Sequence, residues 1–143
     1  MNTTVKTPVH LWIVGILAVL WNAMGAFDYS ATQLRLEFYM NQFTAEQLEY
    51  FYGIPAWADA AWAIAVWSSL LASFGLLFRQ AWSVMLFGVA IIAMAGNSIY
   101  TMVLTDGLDL MGAGAAAFTA IIWAIAIGLF LYALVMKRRS ILG

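Results

Sequence analysis

The sequence predicts an all-α membrane protein whose four transmembrane helices form an antiparallel bundle. Two observations carry this prediction. The chain is 65% hydrophobic and 9% charged, with a mean hydropathy of +0.90, which lies outside the range of soluble globular domains. Its apolar residues also form four stretches, each close to the roughly 20 residues that cross a bilayer as a helix. These stretches are residues 10–27, 56–78, 82–104 and 113–136, and they make residues 1–143 a single membrane domain.

The charged residues separate onto opposite sides of this bundle. Five of the six basic residues lie beside the two termini or in the short turn at 79–81: Lys6, Arg79, Lys137, Arg138 and Arg139. The acidic residues lie on or near the other side: Asp28, Glu37, Glu46, Glu49, Asp59, Asp106 and Asp109. Cytoplasmic loops carry the excess of Lys and Arg. We therefore expect cytoplasmic termini, extracytoplasmic loops at 28–55 and 105–112, and a location in a bacterial inner membrane.

Two short amphipathic helices are predicted in the first extracytoplasmic loop. Ser30-Ala-Thr-Gln33 fits a capping box and predicts a helix over about 30–40. Thr44-Ala-Glu-Gln47 fits a second capping box and predicts a helix over about 44–52. The aromatic residues of this loop favour a position at the level of the lipid headgroups.

Small residues predict which helix faces pack, because small side chains let backbones approach closely in lipid. The fourth span has an unbroken ladder of such residues at four-residue spacing: Gly112, Ala116, Ala120, Ala124 and Gly128. This ladder indicates either tight packing inside the bundle or a contact with another chain. The second alternative predicts a protein partner or a homo-oligomer formed through the fourth helix.

Polar groups within or beside the spans are concentrated near the outer ends of the helices. They predict an outward-facing polar pocket formed by Asn22, Asp28, Arg35, Asp59, Trp62, Asn97 and Tyr100. Structural roles compete with ligand binding at these positions. An acid such as Asp59 is favoured at a helix N-terminus, asparagines hydrogen-bond between helices, and Arg35 has several acidic neighbours with which to pair. Tryptophans near helix ends also serve as interfacial anchors.

Several classes of function lack their residues in this chain. Cysteine is absent and His10 is the sole histidine, so thiolate catalysis, bis-histidine haem and multi-histidine metal sites are not expected. We expect no catalytic residues, metal or cofactor, and the net charge of −1 predicts no nucleic-acid partner. Membrane lipids are expected partners. The run Lys137-Arg138-Arg139 has fewer than the four to eight bases of a lipid-binding cluster, and it is sufficiently explained as a topology anchor.

Two segments resemble a known family. The stretch Leu20-Trp-Asn-Ala-Met-Gly-Ala-Phe-Asp-Tyr29 with Thr32-Gln33, followed by Tyr52-Gly-Ile-Pro-Ala-Trp57, is similar to a family of small, uncharacterised four-helix proteins of bacterial inner membranes. Some members carry an automatic "sugar transporter" label. The resemblance implies a four-helix membrane protein and raises the expectation of transport only slightly.

These observations favour a non-catalytic integral inner-membrane protein. It would act as an accessory subunit of a larger complex, or bind a lipid or small ligand in the outward-facing pocket. The alternative is a transporter of a small sugar-like or drug-like solute that works as an oligomer. Transporters place their sites near the midplane, commonly at broken helices, whereas no proline interrupts these spans. An enzyme using Asp59 with Tyr100 or Arg35 would lack a recognisable constellation of catalytic residues.

Overall fold

The computed structural model describes residues 5–143, which it folds into α-helices and one π-helical turn. The helices are α1 (Val9–Gln33), α2 (Glu37–Met40), α3 (Ala45–Tyr52), α4 (Ala56–Leu77), α5 (Trp82–Ile99), α6 (Gly107–Leu110) and α7 (Ala115–Arg138). The π turn (Tyr100–Leu104) continues α5. Four helical segments are long and apolar enough to cross a membrane, namely α1, α4, α5 with the π turn, and α7. The predicted fold class of a membrane-spanning helical bundle is therefore confirmed.

The bundle is built around the α4–α5 hairpin. α4 packs extensively against α1 and α5, and α7 packs mainly against α5. We use "termini end" for the end that holds the start of α1, the 79–81 turn and the end of α7. The opposite end, with residues 34–55 and 105–114, is the "loop end". α7 meets α1 through a hydrogen bond between His10 Nδ1 and the Tyr132 hydroxyl and through the rings of Trp21 and Phe118, whose centroids lie 6.2 Å apart.

The termini end is closed by a compact apolar core. Its fully buried members come from all four long helices and from the segment that follows α7: Leu11, Ala72, Leu76, Phe87, Ala133, Met136 and Leu142. Gly75 lets the hairpin close, since a Cβ at this position would lie 2.7 Å from a ring carbon of Trp82. The backbone of Gly143 completes the closure by accepting a hydrogen bond from Ala81 N and donating one to Arg79 O, each 2.9 Å long.

The predicted helix over 30–40 is wrong, and the first helix extends beyond its predicted end at residue 27. α1 continues without a break to Gln33, and α2 occupies only Glu37–Met40. A capping box requires an extended N-cap residue, whereas Ser30 lies inside the last turns of α1. Residues 28–33 contain no glycine or proline to end the helix, and Thr32 Oγ1 donates to Asp28 O at 2.8 Å within it. The chain turns instead at Arg35, whose φ is 51°.

The second capping box is present as predicted. Thr44 has extended backbone angles and its hydroxyl accepts a hydrogen bond from Gln47 N, while Thr44 N donates to the Gln47 side chain. The helix that this box opens, α3, begins at Ala45 and ends at Tyr52.

The small-residue ladder of α7 does not pack inside the bundle. All five of its residues are exposed, and a Cβ added at Gly112 or Gly128 would meet no atom within 4 Å. Only 6% of the most apolar window of α7 is buried, compared with 28% in α4. Interior packing, one of the two alternatives drawn from the sequence, is therefore excluded for this ladder, and a contact with another chain stays a prediction.

Candidate functional site

A cleft lies at the loop end of the bundle, and we call it the loop-end cleft. Its volume is about 350 Å³, within the range of small-ligand sites. It lies between α3 on one side and the π turn, residues 105–106 and α6 on the other. Its lining residues are Glu46, Glu49, Tyr50, Gly53, Tyr100, Thr105, Asp106 and Leu110.

The capping residue Gln47 holds α3 against the opposite side of the cleft. Its side-chain oxygen accepts a hydrogen bond from Thr44 N at 3.1 Å, which fixes the start of α3. Its side-chain nitrogen donates to Leu110 O at 3.1 Å. One side chain thus both caps α3 and joins it to α6, so the width of the cleft depends on Gln47.

The π turn supplies the polar floor of the cleft. π-helical turns inside α-helices occur frequently at functional sites. Here the turn brings the Thr105 hydroxyl within 2.8 Å of Tyr100 O, to which it donates. The same hydroxyl lies 2.9 Å from the Tyr50 hydroxyl and accepts a hydrogen bond from Gly107 N at 3.3 Å. Thr105 therefore joins α3, the π turn and α6 at one point.

Aromatic rings form one wall of the cleft. The ring centroids of Tyr50 and Tyr100 are 6.0 Å apart with planes tilted by 30°, and Trp57 meets Tyr100 edge-on at 5.7 Å. Gly107 makes room for this wall, because a Cβ at residue 107 would lie 2.6 Å from the Cζ atom of Tyr50. The faces of aromatic rings attract cations.

The charge of the cleft is uniformly negative. Glu46, Glu49 and Asp106 line it and are solvent-exposed, and none of its lining residues is Lys, Arg or His. Exposed carboxylates keep their hydration and attract cations from solution. Among residues 5–143, however, no group of three or more His, Asp or Glu side chains is placed to hold a metal ion. The cleft thus combines three exposed carboxylates with the rings of Tyr50 and Tyr100.

Comparisons with protein-family models, with curated proteins and with solved structures found no match.

The seven residues predicted to form one pocket divide between the loop-end cleft, a second cavity and contacts within the bundle. Only Tyr100 lines the loop-end cleft. Asn22 lines a separate interior cavity of about 40 Å³ among α1, α4, α5 and α7, where its side-chain nitrogen donates to Ser73 Oγ at 2.8 Å and to Ala18 O at 3.0 Å. Asn97 donates to Ala58 O at 3.3 Å. Both asparagines thus have the helix-joining role that competed with ligand binding in the sequence.

The two predicted acids are bound to uncharged side chains. Asp28 accepts a hydrogen bond from the Tyr39 hydroxyl, and burial together with this bond raises the pKa of Tyr39 above its usual 10.0. Asp59 Oδ1 accepts a hydrogen bond from Gln33 Nε2 at 2.7 Å. The expected pairing of Arg35 with a neighbouring acid is replaced by a cation–π contact.

Arg35 and Trp62, which were also predicted to line the pocket, contact aromatic rings of the bundle. The guanidinium carbon of Arg35 lies 4.0 Å from the ring centroid of Tyr52. Trp62 meets Tyr29 edge-on, with centroids 4.9 Å apart. Each contact joins two parts of the chain, so the side chains of Arg35 and Trp62 have structural roles.

Sequence reasoning missed most of the lining of the cleft. Glu46, Glu49 and Tyr50 are spaced three and four residues apart on α3, which places them on one helical face. Together with the confirmed capping box, this spacing was a usable signal. No signal in the sequence indicated Asp106 or Thr105, because their proximity to α3 depends on the path of the chain through α4 and α5.

Proposed function

We propose that this chain is a non-catalytic integral membrane protein that binds a small organic cation in the loop-end cleft. One observation carries the proposal. Three carboxylates and two tyrosine rings surround about 350 Å³ with no basic side chain among the lining residues. Carboxylates supply attraction at a distance, and aromatic faces supply a short-range contact that suits an ammonium group.

We also propose that the cleft faces the extracytoplasmic side of a bacterial inner membrane. The support is the charge asymmetry of the sequence, in which five of six bases accompany the termini end and only Arg35 accompanies the loop end. An excess of Lys and Arg favours retention in the cytoplasm. A ligand of the cleft would then arrive from the periplasm.

The experiment compares choline with 3,3-dimethylbutanol, a neutral molecule of nearly the same shape, on the purified protein in mild detergent by titration calorimetry. We expect choline to bind and its neutral isostere to bind much more weakly. In Glu46→Gln/Glu49→Gln, choline affinity should fall by about fivefold for each charge removed, since a charge pair at close range in water contributes ~1 kcal/mol.

The matched control is Glu37→Gln/Asp109→Asn, which removes two exposed acids of the loop end that do not line the cleft. It should bind choline as the unmodified protein does. Equal binding of choline and 3,3-dimethylbutanol, or equal loss in the two double variants, would refute the proposal.

A second role as an accessory subunit or oligomer is supported by a different observation. The exposed ladder of α7 offers a face along which another helix can approach closely. The transporter alternative has less support, because the interior cavity of about 40 Å³ has room for a few water molecules and not for a sugar.

A further inference from the structure

The termini end has a group of basic side chains that ligand binding in the cleft does not use. α7 ends in Lys137 and Arg138, Arg139 follows as its C-cap, and all three are exposed. On their own, three bases are fewer than the four to eight that form a lipid-binding cluster.

The fold adds two more bases to this group. Arg79 Nη1 donates to Thr7 Oγ1 at 2.7 Å, which places Arg79 beside the residue that follows Lys6. Arg79 O accepts from Gly143 N at 2.9 Å, so the segment that follows Arg139 returns to the same turn. Lys6 and Arg79 are exposed.

We call the five residues Lys6, Arg79, Lys137, Arg138 and Arg139 the basic collar. Within residues 5–143, every acidic side chain belongs to the last third of α1, to α2, to α3, to the first turn of α4, or to residues 106–109. The collar therefore has no acidic side chain at its own end of the bundle to neutralise it.

Two tryptophans lie at the same end of the bundle as the collar. Trp12, in the first turn of α1, and Trp82, the first residue of α5, are 44% and 45% exposed at the same end. Tryptophans near the ends of membrane-spanning helices favour the membrane–water interface. We therefore expect the collar to lie near the level of the lipid phosphates.

We propose that the basic collar binds the headgroups of anionic phospholipids. Five exposed bases reach the size of known lipid-binding clusters, and each Lys or Arg near an anionic surface adds appreciably to the attraction. This role differs from orienting the chain during insertion, because it persists in the folded protein and depends on which lipid is supplied.

The test measures lipid adducts by native mass spectrometry of the purified protein, in micelles titrated separately with phosphatidylglycerol and phosphatidylcholine. In micelles both ends meet the same lipid, so the result does not depend on membrane orientation. We expect phosphatidylglycerol to bind more tightly than phosphatidylcholine, and Arg138→Gln to weaken phosphatidylglycerol binding by about fivefold.

The matched control is Arg35→Gln, which removes the one base that lies outside the collar and should leave phosphatidylglycerol binding unchanged. Lys137→Gln provides a second collar variant at another exposed position, in case Arg138→Gln purifies poorly. Equal affinity for the two lipids, no effect of either collar variant, or an equal loss in Arg35→Gln would overturn the proposal.

Discussion

Tyr39 and Asp28 form a hydrogen bond that fastens α2 to α1. Gln33 and Asp59 likewise join α1 to α4, and Asn22 joins α1 to α4 through Ser73. Asn22, Asp28 and Asp59, which the sequence predicted to line a pocket, thus have hydrogen-bond partners elsewhere in the bundle. A buried polar group without a partner is costly, so such groups find partners unless a ligand is to supply one.

The raised pKa of Tyr39 predicts that the stability of the protein falls at alkaline pH. Because burial and the bond to Asp28 raise the pKa of Tyr39, the folded state favours the neutral phenol. Its contribution to the free energy of unfolding is fully present below the unfolded pKa of 10.0. It is lost as pH rises above that value towards the higher folded pKa.

Thermal unfolding in detergent, followed by tryptophan fluorescence from about pH 8 to about pH 11, would measure this effect. The unmodified protein should lose stability above pH 10 by more than Tyr39→Phe does. Tyr52→Phe serves as the control, since it keeps the ring beneath Arg35 and should behave like the unmodified protein. Parallel curves for all three proteins would contradict the expectation.

Among the helices, those whose position depends on nearby residues in the sequence were predicted correctly. The four spans follow from length and hydropathy, and the start of α3 follows from the complementary groups of Thr44 and Gln47. The same pattern failed at Ser30, where continuing α1 competes with starting a new helix. Residues that fit a capping box can begin a helix. The same residues can also lie within an uninterrupted helix, as Ser30 does in α1.

The lining of the cleft could be predicted only in part for a related reason. One helical face of α3 supplies two acids and Tyr50, and that face was visible in the spacing. Its other wall comes from residues more than fifty positions away, joined by the bonds from Gln47 to Leu110 and from Tyr50 to Thr105. No periodicity in the sequence reports a contact of that separation.

We predict that the exposed small-residue ladder of α7 mediates association with a second copy of the chain. Ala120→Leu places a large side chain in the middle of the ladder. We expect it to weaken association in lipid vesicles by ~1–3 kcal/mol, the usual cost of forcing extra volume into a close-packed contact. Counting photobleaching steps of labelled protein would measure the oligomer fraction.

Ala60→Leu is the control for that experiment, because Ala60 is an exposed alanine of α4 outside the ladder. It should leave the oligomer fraction unchanged. The prediction would be wrong if the unmodified protein were monomeric, or if the oligomer fraction fell equally in both variants.

At the scale of the whole molecule, the two ends of the bundle differ in both packing and charge. The termini end is closed by buried apolar residues and surrounded by bases. The loop end is open, acidic and rich in tyrosine. The proposed cation site and the proposed lipid contact thus lie at opposite ends of the bundle.

Membrane orientation gives the prediction at this scale, and the absence of native cysteine makes it simple to measure. Gln42→Cys at the loop end and Gln80→Cys at the termini end each introduce one thiol at an exposed position. A maleimide that cannot cross membranes should label Gln42→Cys in intact spheroplasts and Gln80→Cys only after permeabilisation. The reverse pattern would place the termini outside and the cleft in the cytoplasm.

The π turn makes the cleft depend on how many residues α5 contains. Each turn of an α-helix holds 3.6 residues, and a π turn holds about one more because its hydrogen bonds reach one residue further. Wound as α-helix with the same number of residues, the segment would carry Thr105 about 100° further around the helix axis, away from Tyr50. The π turn therefore accommodates one residue more than an α-helix would hold while Thr105 still meets Tyr50.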